Sequence, residues 1–394
     1  MSDQGYETEA KKYGYIEQLT WLRGIAAFLV IVSHCLRASE VKYAPLDERS
    51  YFLPLGLLDL GSFGVALFFV LSGCALWISN RRLNGLPGVA GFYTKRFFRI
   101  WPAFFVSLLT YMAFIQIFKR VYTGPLAPEI KALANDQYTL SNVIQYLSLS
   151  FNLTGPKGLF NGAYWSLPVE FQYYLIFPIL CISLLALRSV GPILLAVLFY
   201  CIWYFGVIDL NRYEVLNLAY TFCGGVLLGF MYTEGKIKFR FGMRVGLVLT
   251  ALCFAIASAI YNDFLPIPGD IPVLDRKWDW YGLTALATVF FVLFTDFQYW
   301  DSALTRFLKI YGDISYSTYL FHFLFIGIAV LAVTHFSIYG DSPKLFFVFF
   351  FTLISTYFAA RFFYRYVELP GIRFGRMIVA GLFAGNKIVK NPTG

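Results

Sequence analysis

Apolar residues along this chain come in runs of about 17 to 25, separated by short polar connections, and a helical run of that length crosses a hydrocarbon core of roughly 30 Å. The pattern predicts spans at 17–37, 60–79, 100–119, 164–187, 191–208, 215–233, 245–261, 281–297, 314–333 and 345–366. The expected fold is therefore all-α: a polytopic membrane protein of about ten transmembrane helices. An even number of spans puts both termini on one side. Arg81, Arg82, Lys95, Arg96 and Arg99 lie between spans two and three, and Lys236, Lys238, Arg240 and Arg244 between spans six and seven. By the positive-inside rule these connections, and with them both termini, face the cytoplasm. The expected organisation is a cytoplasmic tail at 1–16, a transmembrane domain at 17–376 and a cytoplasmic tail at 377–394.

The longest outer connection, 120–163, holds Asn135 and Asp136 and a semi-apolar run from Leu140 to Leu153 that is expected to lie flat at the interface or to re-enter. A second, 262–280, is rich in Pro and Asp and ends in Trp278 and Trp280, residues suited to a headgroup boundary. Asn152 to Thr154 forms an N-x-T sequon on the same side.

Composition agrees with a lipid environment: 58% of residues are hydrophobic and 14% charged, too little polar material to cover a water-soluble domain. The formal charge of +9 is explained by the basic connections, and nucleic acid is not an expected partner. The six cysteines, Cys35, Cys74, Cys181, Cys201, Cys223 and Cys253, fall in or beside apolar runs without a CxxC pair. They read as packing thiols, and no metal is expected. The first fifteen residues are polar, and the first apolar run contains Arg23 and no small-residue cleavage site. It is expected to stay in the mature protein rather than act as a cleaved signal.

An ionisable side chain inside a spanning helix costs a few kcal/mol, so each is a candidate for function. Arg23 and His34 are eleven residues apart in the first span. They share nearly one face, separated by roughly 16 Å along the axis, with His34 toward the outside. Arg23 reads as a snorkelling anchor or a site residue, and His34 as an interhelical hydrogen bonder or a proton acceptor. Glu170, in the fourth span, is expected at the depth of His34, where an imidazole or guanidinium partner would keep it charged. Ser166 lies one turn earlier. In the ninth span Ser315, Tyr319 and His322 form a polar stripe at helical spacing, which must face protein or water. Arg96 and Arg99, at the start of the third span, serve equally as a positive-inside anchor or as a fork for phosphate.

Taken together these residues resemble the acyltransferase 3 family of integral membrane O-acyltransferases, from about Leu19 to Arg376. The likeness rests on Leu22, Arg23 and Gly24 with His34 following, on the run Phe68 to Gly73, on Arg96 and Arg99, and on Trp165, Ser166, Leu167 and Glu170. It continues through Ser315, Tyr316, Ser317, Tyr319 and His322 to Val367, Glu368 and Pro370. The resemblance implies an enzyme of the bacterial inner membrane that moves an acyl group, commonly acetyl, from acetyl-CoA or another acyl-CoA to a hydroxyl of a polysaccharide, lipopolysaccharide or glycolipid. Some members carry an additional extracytoplasmic domain, and this chain is expected to lack one.

Acyl transfer to an alcohol needs a base, stabilisation of the developing oxyanion and exclusion of water. The expected assignment is His34 as base, Glu170 as its orienting or acid/base partner, and Arg23 or Ser166 as positioning groups. Arg96 and Arg99 would hold the phosphates of the donor. A covalent route through Ser166 or His34 stays open. The rival class is a proton-coupled transporter or flippase of a glycolipid or metabolite, which buried Arg, His and Glu would also suit.

Overall fold

The structure is a computed structural model and describes residues 16–39, 60–80, 83, 85–122, 128–156, 158–205, 214–235, 242–261, 277–295 and 302–384. The basic residues Arg81, Arg82, Lys236, Lys238 and Arg240, most of the 262–280 connection and most of both tails lie outside them.

Regular structure in the described residues is helical. The main helices are α1 (Glu17–Ala38), α2 (Leu60–Asn80), α3 (Gly85–Val121), α4 (Leu140–Leu147), α5 (Ser166–Leu187), α6 (Val190–Tyr204), α7 (Ala219–Thr233), α8 (Met243–Tyr261), α9 (Lys277–Leu293), α10 (Ala303–Asp313), α11 (Ser315–His335), α12 (Asp341–Phe363) and α13 (Leu369–Ala384). Seven segments are long and apolar enough to cross a membrane: Glu17–Ala38, Leu60–Asn80, Gly85–Val121, Gly162–Leu187, Val215–Thr233, Ser315–His335 and Asp341–Leu382. Three shorter apolar helices, Val190–Tyr204, Arg244–Ile260 and Asp279–Leu293, fall at three of the remaining expected spans. Large apolar side chains point outward from several of these helices, among them Ile182, Leu185, Val197, Val248 and Phe358. That outward apolar surface is what a lipid solvent requires, and it makes this an integral membrane protein.

Helix α2 is the central post, packed against α1, α7 and α9. Its approach to α7 depends on glycine on both sides. A Cβ at Gly73 would lie 2.3 Å from the Phe222 carbonyl oxygen, and one at Gly225 would lie 2.1 Å from that of Val70. Where lipid replaces water, close backbone contact of this kind supplies the packing that drives helices together.

Helix α3 departs from the expected boundaries. The spacing predicts a basic connection before a span at 100–119, but the helix begins at Gly85 and runs for 37 residues, roughly 55 Å. Lys95, Arg96 and Arg99 are therefore carried on a rigid helix, with Pro102 just beyond them.

The connection after α3 folds back against the bundle. Trp101 of α3 donates its indole N–H to the Leu147 carbonyl at the end of α4, at 3.1 Å, and Phe151, Phe160 and Tyr164 are completely buried. Leu149 and Phe160 hold positive φ, at 53° and 63°. Non-glycine residues keep such conformations only where their surroundings enforce them, and the Phe160 ring is held against those of Tyr138 and Tyr146. The sequon asparagine is inside the protein too. Asn152 is fully buried and exchanges paired amide bonds with Gln172 at 3.1 and 3.0 Å.

Candidate active site

Two groups of polar side chains lie along the same two helices, α1 and α11. The first surrounds a cavity between these two helices and three others. Arg23 of α1, Ser72 of α2, Arg99 of α3, Ser166, Glu170 and Tyr174 of α5, and Ser315, Tyr316 and Tyr319 of α11 line it, with Val65, Phe68, Phe69, Ile100 and Leu167 as apolar wall.

Glu170 is fixed in this cavity. Its Oε1 accepts from the Ser72 hydroxyl at 2.9 Å and from the Tyr174 hydroxyl, one turn along its own helix, at 2.5 Å. The expected pairing of Glu170 with His34 is thus corrected: Glu170 shares its cavity with Arg23 and Arg99. The reason is the connection that folds back before α5. Tyr146, Phe151, Phe160 and Tyr164 of the segment before α5 are buried against the bundle, and one turn into α5 Glu170 lines the same cavity as Arg23.

The arginine pair is also divided. Arg99 lines the cavity and makes no hydrogen bond or ion pair with a described residue. Arg96, three residues earlier and so on a different part of the helix face, sets its guanidinium against the rings of Phe92 and Tyr174, at 5.7 and 5.8 Å. Its Nε is buried without a hydrogen-bond partner. Arg99 thus shares the cavity with Arg23, while Arg96 stands against Tyr174.

Glu368 accepts from Ser317 of α11 at 2.8 Å and is 2% exposed. It stands on the single π-helical turn Tyr364–Glu368, the kind of widened turn that redirects a side chain at a functional site.

Ser166 donates its hydroxyl hydrogen to Tyr319 at 2.7 Å, since the Tyr319 O–H is itself donated to the Ala163 carbonyl. No imidazole in the described residues reaches Ser166. Of the expected stripe on α11, Ser315 and Tyr319 face the cavity while His322 belongs to the second group.

That second group is built around His34. His34 Nδ1 lies 2.5 Å from Glu129 Oε1, and between an imidazole and an ionised carboxylate the ring N–H is the donor. Burial pushes the Glu129 carboxyl up. The bond to His34, and the charges of His34 and Arg37, outweigh burial and hold it below the usual carboxylate range. His34 retains 13% side-chain exposure and Glu129 18%. His322 stacks beside His34 with ring centroids 5.3 Å apart, and Phe323 packs edge-on against His34 at 4.7 Å.

Glu129 has no distinguishing signal in the sequence. It lies in the 3₁₀ turn Pro128–Ala134 and reads in the sequence as one more acid of the expected outer connection. Tyr174 was legible as the residue one turn from Glu170, and Ser72 as a hydroxyl within an apolar run. Neither identifies a partner without the fold.

Such a carboxylate-held imidazole beside a cationic cavity can take a proton from a hydroxyl while an anionic co-substrate is held nearby. Comparison with known proteins points the same way. Residues 16–361 match the acyltransferase domain that defines the acyltransferase 3 family. Among curated proteins, the peptidoglycan O-acetyltransferase OatA of Listeria monocytogenes is 23% identical over 392 residues, covering 90% of this chain and 56% of that protein. The acyltransferase MdmB of Streptomyces mycarofaciens is 33% identical over 165 residues, covering 42% of this chain and 38% of that protein. The chain spans about half the length of the curated relatives it matches. No solved structure matches it significantly. Since the matched residues run from the helix of Arg23 and His34 through that of Tyr319 and His322, the chain belongs to the acyltransferase 3 family.

Proposed function

We propose that this protein is a membrane O-acyltransferase that moves an acyl group, acetyl by preference, from an acyl-CoA to a hydroxyl of a carbohydrate-type acceptor such as a surface polysaccharide, lipopolysaccharide or glycolipid. The observation that carries this reading is the His34–Glu129 pair at 2.5 Å, placed along α1 from a cavity that presents Arg23 and Arg99.

In this reading the acceptor oxygen attacks the thioester carbonyl carbon while His34 Nε2 takes the hydroxyl proton. The new C–O bond forms, the C–S bond breaks, and the thiolate leaves with the proton returned from the imidazolium. Glu129 keeps Nδ1 protonated, so that Nε2 is the basic nitrogen, and stabilises the transient positive charge. Arg99 and Arg23 attract the donor's phosphates as paired guanidinium groups do. Arg96 contributes field rather than contact.

Direct transfer is favoured over a Ser166 acyl-enzyme because the Ser166 proton is committed to Tyr319. The acyltransferase-domain match over residues 16–361 supports the enzyme over the transporter.

The reading is completed by ten crossings, with the three shorter apolar helices spanning alongside the seven longer segments, both termini in the cytoplasm and a bacterial inner membrane as host. Surface glycans and glycolipids from cells with the gene intact, deleted, or carrying His34→Ala provide the test, by mass spectrometry. A mass increment of one acyl group lost in both altered strains supports the enzyme and names its acceptor class. An increment that persists in the His34→Ala strain removes His34 as base, and no increment in any fraction turns the reading toward transport.

A further inference from the structure

His322 is completely buried and carries an unsatisfied atom. Its Nδ1 is 2.8 Å from the Tyr319 carbonyl oxygen. A carbonyl can only accept, so Nδ1 bears the hydrogen and Nε2 holds a lone pair. Nε2 is buried with no hydrogen-bond partner, a costly state for a polar atom. With the His34 ring 5.3 Å away, the two imidazoles each keep a hydrogen on Nδ1 and leave Nε2 as an acceptor in the same region.

The turn that carries His322 is clamped from outside its own helix. The Tyr111 hydroxyl of α3 accepts from the Leu324 backbone N–H at 2.9 Å and donates to the Leu320 carbonyl at 3.1 Å. Those are the two groups that an α-helix pairs with each other, so a foreign hydroxyl bridges the turn centred on His322. The Leu320 carbonyl also accepts from the Asn161 amide at 3.2 Å and from Ser107 at 3.4 Å. Tyr111 is itself completely buried. A carbonyl served by three side chains from two other segments is fixed in place, and with it the next two residues.

We propose that Tyr111 is a positioning residue: by bridging Leu324 N–H and Leu320 C=O it holds the His322 turn so that the Nε2 lone pair is presented, beside His34, to a hydroxyl of the acceptor. This rests on the acyltransferase reading above and extends it. The base at His34 takes the proton of the reacting hydroxyl. His322 accepts a hydrogen bond from a second hydroxyl of the same acceptor, which stays protonated throughout. The arrangement suits an acceptor with neighbouring hydroxyls, as on a sugar ring, over a simple alcohol.

The test uses the fact that the chain has three histidines, His34, His322 and His335. Nitrogen-15 NMR of the histidine-labelled full chain in liposomes reports the tautomer of each ring, with His335, exposed at the end of α11, as internal reference. The wild type is expected to show His322 as a single form protonated on Nδ1. In Tyr111→Phe a second His322 form or exchange broadening is expected, with His335 unchanged. Acyl transfer by the same variant, measured with a sugar acceptor and with ethanol, is expected to show acceptor KM for the sugar raised about three- to tenfold, the effect of one hydrogen bond. Donor KM and the ethanol reaction stay as in the wild type.

An unchanged His322 spectrum in Tyr111→Phe overturns the proposal even if activity falls. A changed spectrum with unchanged sugar KM overturns the acceptor-binding part. A changed spectrum in a protein that transfers no acyl group in any form sinks the enzymatic reading and leaves the positioning role standing. If Tyr111→Phe cannot be purified, Asn161→Ala removes another donor from the same carbonyl and is read in the same way.

Discussion

The cationic cavity and the His34 pair stand on the same two helices and are built on opposite terms. In the cavity the carboxylate is tied down, by Ser72 and Tyr174, while Arg99 makes no hydrogen bond or ion pair with a described residue. At His34 the base is tied down, by Glu129, and little of either side chain is exposed. A guanidinium whose N–H groups make no hydrogen bond to a described residue has donors left for an incoming anion. A base fixed in tautomer and orientation is poised for proton transfer, which tolerates little displacement. On the proposed function, the difference gives one region the recognition of charge and the other the chemistry, and substitutions in the two should fail in different ways.

The largest effect is expected for His34→Ala. Loss of a general base removes about 10²- to 10⁴-fold of rate, and single-turnover transfer should fall by that order while donor binding, measured by equilibrium competition, is retained. Loss of donor binding instead would merge the two regions into one.

Glu129→Gln comes next, since an amide keeps a hydrogen bond but not the charge that stabilises the imidazolium. A fall in kcat of roughly 10- to 100-fold is expected, with donor KM unchanged. The same variant sharpens the comparison through pH. Glu129 has its folded pKa lowered, so its contribution to stability is present above the unfolded value, near 4.3, and is lost as pH falls through the lower folded value. Thermal unfolding in detergent should therefore show an acid-side loss of Tm below about pH 4 that is shallower in Glu129→Gln. Identical acid limbs would remove the charged pair.

In the cavity, Arg99→Ala should raise donor KM about 10- to 100-fold, as for loss of a charge-assisted contact, with little change in kcat. Arg96→Ala should change it only about two- to fivefold, because this guanidinium rests on aromatic rings. Equal effects would show that the two arginines act as one fork. The smallest effect is expected at the surface. Lys119 and Asp136 lie 2.6 Å apart, closely matching His34 and Glu129 in distance, but solvent screens them. Lys119→Ala should leave both Tm and transfer unchanged.

The spacing of apolar runs determined the helical architecture, because a chain in lipid must satisfy its backbone within each segment and mark each segment by length. Sequence also singled out the polar residues that matter on α1 and α11, since Arg23, His34, Tyr319 and His322 interrupt otherwise apolar helices. Their partners were not legible. Period and length say on which helix, and roughly on which face, a residue stands; they say nothing of which neighbours a helix meets when the segment before it folds back against the bundle. Glu170 accordingly lines the cavity with Arg23 instead of meeting His34. Pro128–Ala134, a turn with no periodicity to read, supplies the carboxylate at His34 because α1, α3 and α11 close around it. The tertiary structure alone decided which acid faces which base, because that choice is made by contacts between segments distant in sequence, such as the 95 residues separating His34 from Glu129.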